Sequence, residues 1–321
     1  VDGGLIRRRL AAAVARRQAV YPGASACRLV HGECDGLPGL IVDRYEDVLV
    51  LELNTQGIFL FQEEIVGGLV DLLGPRAVVL RNASAALAYE RLEPRTEILH
   101  GALEGPVVIL EDDVKFLVDP LQGQKTGFFL DQRENRRRLR AHCADRRVWD
   151  VFAYSGGWGL HALAAGARRV TFVDSSAAAC AAVQENLALN GWADRAEVVQ
   201  ASAFDHLRDL PRHEAKVIVL DPPAFAKTRK DVPAALKAYV DVNREALRKL
   251  AEGGVLATSS CSFHVGTALF AEAVSRAVFQ SRQRVELLHV GGQAPDHPVH
   301  LEFPESRYLD TLFLRKLAYH P

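Results

Sequence analysis

The chain has 321 residues, enough for two cores or for one large α/β core with an appendage, and too many for a small stapled fold. Hydrophobic residues at 49% and charged residues at 25% match ordinary globular chains and fit neither disorder nor a membrane protein. Lys and Arg number 39 against 40 Asp and Glu, a net charge of −1, which argues against a polycation that coats nucleic acid through bulk charge.

No apolar run approaches the ~20 residues of a membrane span and no secretory signal opens the chain, so a cytoplasmic location is expected. Cys27, Cys34, Cys143, Cys180 and Cys261 are odd in number, scattered and never spaced CxxC. They read as reduced thiols, and no metal site is expected.

Residues 5–20 break an apolar pattern with Arg7-Arg8-Arg9 and Arg16-Arg17, which predicts one basic helix ending before Pro22-Gly23. Residues 27–31, 39–45 and 48–54 read as an antiparallel meander punctuated by turn-formers. A helix over 59–73 and strands at 77–80, 107–110 and 114–118 complete a small α+β unit, with the turn at 119–123 as its boundary. The expected division is therefore a basic helix or linker (1–22), a central α+β domain (23–118) and a second domain (119–321).

Beyond the boundary, strands at 148–152, 169–173, 196–200, 217–220, 254–259, 285–290 and 308–314 alternate with helices at 160–165, 177–190, 234–251 and 267–279. This α/β pattern predicts a doubly wound, largely parallel sheet with its ligand at the carboxyl ends of the strands.

The first of these strands runs into Asp150-Val151-Phe152-Ala153-Tyr154-Ser155-Gly156-Gly157-Trp158-Gly159. A glycine turn opening a helix brings backbone close to a ligand and favours a negative group. The spacing is not the GxGxxG of a dinucleotide site. An acid with a Gly-Gly pair suits S-adenosylmethionine, whose adenosine and carboxylate would hang on backbone amides. Asp150, Phe152, Tyr154, Ser155, Gly156 and Gly157 are the candidate contacts. The next strand ends in Asp174, beside Ser175, where a carboxylate accepts both ribose hydroxyls. The competing role for Asp174 is to cap the following helix.

A buried strand leads into Asp221-Pro222-Pro223-Ala224-Phe225, in which two prolines stiffen the turn that carries the carboxylate. Such a turn suits enzymes that methylate nucleobases or amides, with a flat base held against Phe225. The neighbouring strand delivers Ser260-Cys261-Ser262 to the same sheet edge, so Asp221 and Cys261 are expected to face one pocket. Carbon 5 of cytosine is a poor nucleophile until a thiolate adds at carbon 6, which makes Cys261 the candidate nucleophile and Asp221 the group stabilising the developing charge.

Taken together, these residues resemble the bacterial large-subunit (23S) rRNA cytosine-5 methyltransferases, the RlmI-like group of class I methyltransferases with a Rossmann-like sheet. The match includes Gly32-Glu33-Cys34-Asp35-Gly36-Leu37-Pro38-Gly39, Asp296-His297-Pro298 and the run Gln124-Lys125-Thr126-Gly127-Phe128-Phe129-Leu130-Asp131-Gln132-Arg133. It spans residues 6–317. The resemblance implies S-adenosylmethionine as cofactor, an RNA cytosine as substrate, Cys261 as nucleophile with Asp221 as its partner, and a central α+β domain before the catalytic one.

Members usually carry an N-terminal RNA-binding PUA domain, which this chain lacks. With the absence of any Met, the expectation is a truncated chain or an incomplete sequence. Similar proteins commonly bind the adenine amine with an Asp where Ser202 stands, next to Ala203. Lys125, Thr126 and Asp221 are further candidate cofactor contacts. Residues 125–147 hold eight basic residues against three acids, so phosphate contact along this segment is a candidate role, with Arg133 and also Lys227 expected at the RNA. An exposed sheet edge is compatible with a homodimer. Two other readings fit the same residues: an RNA N-methyltransferase that uses the Asp-Pro-Pro carbonyls while Cys261 merely packs, and a non-catalytic RNA-binding or assembly protein of the same fold.

Overall fold

The structure, a computed structural model, describes residues 2–83, 85–123 and 126–318. The chain divides into two compact units, Val1–Asp131 with Ala294–Ser306, and Gln132–Gln293 with Arg307–Pro321.

The first unit opens with α1 (Gly3–Val20), capped by Asp2, whose side chain accepts from the Leu5 amide at 2.8 Å. Ile6, Leu10, Ala13 and Val14 recur at helical spacing and are buried, so α1 docks on its own unit by an apolar stripe instead of forming a separate linker. Several of its arginines are engaged there too. Arg17, only 1% exposed, pairs with Asp35 at 2.5 Å, Arg16 reaches the same carboxylate at 2.9 Å, and Arg9 donates to the Gly36 carbonyl.

β1 (Ala26–His31), β2 (Leu40–Tyr45) and β3 (Val48–Leu53) form an antiparallel meander. α2 (Gln56–Phe59) and α3 (Gln62–Leu73) carry the chain to β4 (Ala77–Asn82), which lies parallel to β3. β5 (Arg95–Gly101) completes a five-stranded sheet antiparallel to β4. No sequence pattern predicts β5, because its side chains are nearly all exposed and show no alternation. β6 (Val107–Glu111) and β7 (Val114–Val118) make a separate hairpin.

The unit ends at Asp131, later than the turn at 119–123, because the intervening chain is tied to β2. Thr126 Oγ1 donates to Asp43 at 2.5 Å, and the Phe128 amide donates to Tyr45 Oη at 3.2 Å. Asp43 is itself buried and gripped by both arms of the Arg28 guanidinium, at 2.8 and 2.7 Å.

The chain returns to this unit for Ala294–Ser306. The Ala294 amide donates to the Asp131 carbonyl at 2.8 Å. Asp296, fully buried, accepts from the Arg28 amide at 3.0 Å and bonds His297 Nδ1 at 2.8 Å, while its carbonyl accepts from Arg17 Nη2 at 3.0 Å. Burial, followed by the nearby Arg28, His297 and Arg17, pushes the His31 pKa down to about 2, so this ring packs edge-on against His297 as a neutral group.

The second unit contains α4 (Arg133–Arg140), β8 (Arg147–Val151), α5 (Gly157–Ala164), β9 (Arg169–Asp174), α6 (Ala177–Asn190), β10 (Ala196–Gln200) and α7 (Ala203–Asp209). It continues through β11 (Ala215–Leu220), α8 (Val232–Lys249), β12 (Leu250–Ser260), α9 (Thr267–Ser281), β13 (Val285–Gly292) and β14 (Asp310–Lys316). Its seven-stranded sheet has the order β10-β9-β8-β11-β12-β14-β13. β8 to β12 are mutually parallel, as the buried apolar runs of β8, β9 and β11 predict, and β14 is antiparallel to both β12 and β13.

The chain moves outward from β8 to β10 and then returns to place β11 on the other side of β8. That reversal opens a crevice at the carboxyl ends of β8 and β11, where ligands of such sheets bind. Tyr239 and Leu247 of α8 and Phe270 of α9 pack with Ile218, Leu220 and Leu256 in the core on one face. No helix among the described residues is long and apolar enough to cross a membrane.

Replacing Asp296 by Ala leaves the Arg28 amide without its acceptor inside the first unit. The expected loss is about 2–4 kcal/mol, read as a lower urea midpoint, and Asp296→Asn recovers part of it.

Candidate active site

Three carboxylates gather at the carboxyl ends of neighbouring strands: Asp174 closes β9, Asp150 is the penultimate residue of β8, and Asp221 follows β11. Each has a different set of donors. The Asp174 Oδ2 atom accepts from the Tyr154 amide at 3.0 Å and Oδ1 from the Ser176 amide at 2.9 Å. Asp174 thus ties down both the glycine turn and the start of α6, where Ser176 caps through its own hydroxyl. A carboxylate has about four acceptor positions, so two of them stay open on this half-buried side chain.

Asp150 is fully buried. Its Oδ2 accepts from the Gly159 amide at 2.8 Å, and Oδ1 has no hydrogen-bond partner. Burial, reinforced by the charges of Asp221 and Asp174, pushes its pKa up to about 8. A neutral carboxyl therefore sits beneath α5 at neutral pH.

The turn from Phe152 to Gly157 is strained and over-determined. Phe152 and Tyr154 both adopt left-handed backbone, with φ of 66° and 49°. The amides of Phe152 and Ala153 converge on the Val173 carbonyl at 2.9 and 3.1 Å, and the Ser155 carbonyl accepts from Asn186 at 3.0 Å. Gly156 has φ +81°, and a Cβ there would lie 3.1 Å from the Phe172 ring. At Gly159 a Cβ would lie 2.2 Å from the same ring. Gly157 faces the Arg136 side chain. Close packing of α5 on β9 and α4 thus accounts for these glycines, apart from any ligand.

Asp221 is held by two side chains that sequence reasoning missed. Gln132 Nε2 donates to Oδ1 at 3.0 Å and the indole N–H of Trp158 donates to Oδ2 at 2.9 Å. Gln132 is oriented in turn by Asn135, whose Nδ2 donates to Gln132 Oε1 at 2.7 Å and to the Gly292 carbonyl at 2.9 Å. Both belong to distinctive runs, Asp-Gln-Arg and Gly-Gly-Trp-Gly, yet no local spacing says that they converge on one carboxylate.

Leu220 pairs with Thr258 across β11 and β12, so Asp221 and Cys261 leave adjacent parallel strands at the same edge. Cys261 is half-buried, with its Sγ 3.8 Å from the Pro222 carbonyl. The turn around it is fixed by Tyr239, whose hydroxyl accepts from Ser260 Oγ at 2.9 Å and lies 3.0 Å from Ser262 Oγ. Burial raises the Tyr239 pKa, with smaller contributions in the same direction from Cys261 and Asp221, which places both groups within electrostatic reach of the phenol. Cys27, Cys34, Cys143 and Cys180 are all buried, and burial pushes the Cys143 thiol up to about 12.

Phe225 is half-buried against Tyr239, with ring centroids 4.8 Å apart, and it meets Phe152 and Phe204 at 6.3 and 6.4 Å. Phe204, one residue past Ala203, is a further aromatic wall that the sequence reading passed over. Ser202 heads α7 exposed, its hydroxyl unused as a cap, and Ser175 is exposed as well. Lys227 is exposed, whereas Arg133 and Arg136 are each only 2% exposed. Part of the basic surplus on α4 is therefore buried. Thr126 lies in the first unit with its hydroxyl bonded to Asp43 and Tyr45, and Lys125 lies outside the described residues.

A family model described as S-adenosylmethionine-dependent methyltransferase matches residues 84–300. A protein of Pseudoalteromonas atlantica named ribosomal RNA large subunit methyltransferase I is 36% identical over 99% of the chain and 82% of its own length. One of the same name from Aeromonas salmonicida is 38% identical over 91% of the chain and 75% of its own length. Among solved structures, a methyltransferase complexed with SAH superposes with a TM-score of 0.85 at 20% identity, covering 98% of this chain and 82% of that one.

The raised pKa of Asp150 has a sign that can be checked. Unfolded, the group titrates near ~3.9, and folded near about 8, so the native state holds the extra proton between those values and stability falls as pH rises through that window. Asp150→Asn, with no proton to lose, is expected to gain Tm relative to the parent progressively from pH 5 to pH 8. A difference that stays constant with pH would contradict the raised pKa.

Proposed function

Because the chain belongs to the S-adenosylmethionine-dependent methyltransferase family, we propose that it forms 5-methylcytosine in large-subunit ribosomal RNA through a covalent cysteine adduct. The RNA class follows the names of its relatives. One observation carries the chemistry: a half-buried thiol and a clamped carboxylate leave adjacent parallel strands at the same edge.

The residues present fit the cofactor. Asp174 keeps acceptor positions for ribose hydroxyls, Ser202 offers an uncommitted hydroxyl for the adenine amine, and the turn from Phe152 to Gly157 presents backbone at the start of α5. When bound, S-adenosylmethionine supplies an electrophilic methyl group.

The thiolate of Cys261 adds to carbon 6 of the cytosine, forming a C–S bond and converting the ring to an enamine whose carbon 5 is nucleophilic. Asp221 accepts from the exocyclic amine, and from nitrogen 3 once that atom is protonated during addition. Gln132 and Trp158 each donate to one of its carboxylate oxygens and so fix the orientation of the group. Loss of the carbon 5 proton after methylation restores the double bond, breaks the C–S bond and returns the cysteine.

RNA containing 5-fluorocytidine lacks the proton that must leave and should trap a covalent protein–RNA species in the presence of cofactor. Cys261→Ala should abolish that species and lower 5-methylcytosine formation by on the order of 10³ or more. Methylation at a nitrogen, or an active enzyme that forms no adduct, would overturn the reading and favour N-methylation. Trp158→Phe, which removes one N–H from Asp221, is expected to lower the single-turnover rate about tenfold while calorimetric cofactor affinity is unchanged.

A further inference from the structure

Two residues beyond Cys261, Phe263 is 56% exposed, although Ser262 and Val265 on either side of it are each 2% exposed. The surrounding backbone is fixed. The Val265 amide donates to the Ser262 carbonyl at 2.8 Å, and Ser262 Oγ accepts from the Ala226 amide at 3.3 Å besides meeting Tyr239. That Ala226 bond staples the turn after Cys261 to the turn after Pro223. Phe263 makes an edge-on ring contact with His264, at a centroid distance of 5.3 Å and 79° between planes, which leaves much of the phenyl surface in water. Lys227, Arg229 and Lys230, all exposed, follow Ala226 on the stapled partner turn.

Single exposed apolar rings are common on protein surfaces, so exposure alone means little. The placement is what discriminates: a phenyl on a pinned turn, two residues beyond Cys261, with three cations on the turn bonded to its own. Aromatic faces next to backbone-tracking cations are the elements with which proteins hold single-stranded nucleic acid, because every base offers a π-face. A base that is to be attacked from its ring face must also leave the stack, which strands its neighbour.

We infer that Phe263 is a stacking platform for an unpaired RNA base adjoining the target nucleotide, with Lys227, Arg229 and Lys230 on the flanking phosphates. The inference rests on the RNA reading above but not on the position methylated. A short fluorescein-labelled single-stranded RNA and its duplex of the same sequence, titrated with the full chain by anisotropy, test it. Phe263→Ala should weaken single-strand binding about tenfold or more, Phe263→Trp should restore it, and Phe263→Leu should not. Duplex binding and the calorimetric affinity for S-adenosylmethionine should be unchanged in all three variants.

The inference is overturned if Phe263→Ala binds as the parent does, if Leu restores binding as well as Trp, or if duplex and single strand lose equally. It is also overturned if the parent fails to bind the single strand. Trapping with 5-fluorocytidine RNA separates the two proposals. Ring-dependent binding without an adduct keeps the platform and removes the cytosine-5 reading, and an adduct with ring-independent binding does the reverse.

Discussion

The second unit is organised around the cost of holding three carboxylates at one edge of a parallel sheet. Like charges in a half-dry crevice repel, and each oxygen taken out of water needs a donor. The three are resolved differently. Asp174 draws on two backbone amides, Asp221 on an amide side chain and an indole, and Asp150 on one amide and a retained proton. Burial is the largest influence on the central acid, Asp150, with the neighbouring Asp221 and Asp174 acting in the same direction.

That arrangement explains features that otherwise look unrelated. The left-handed backbone at Phe152 and Tyr154 brings their amides to the end of β9, where the Val173 carbonyl and Asp174 receive them. The small residues at Gly156 and Gly159 let α5 settle against Phe172 closely enough for the Gly159 amide to reach Asp150. On the other side of β8, Gln132 is aimed by Asn135, which is anchored in turn on the Gly292 carbonyl at the end of β13. An edge strand remote in sequence thus helps to orient the carboxylate that follows β11.

The parallel strands were legible because β8, β9 and β11 are short apolar runs bounded by turn-formers, and the acids at their ends were legible because strand ends are where such sheets present ligands to solvent. β5 was illegible because its stability comes from pairing with β4 and not from a buried face. The glycine turn carries a second constraint. Sequence spacing suggested ligand approach, and the structure adds a packing demand on Gly156 and Gly159 from Phe172, a residue of the next strand. Gln132 and Trp158 were missed for the same reason: their partner is chosen by the tertiary fold, some 60 to 90 residues away along the chain. Likewise, counting arginines on α4 said nothing of which ones turn inward.

The first unit is discontinuous, and this bears on modularity. Its Arg28 amide and Arg17 guanidinium are satisfied by Asp296, which the ribosome delivers only after the whole of β8 to β13 has been made. The first unit's sheet therefore takes part of its buried hydrogen bonding from a segment that lies beyond the second unit's strands in the chain. No single scission separates the two units cleanly, because a fragment ending at Asp131 would lack the Asp296 acceptors.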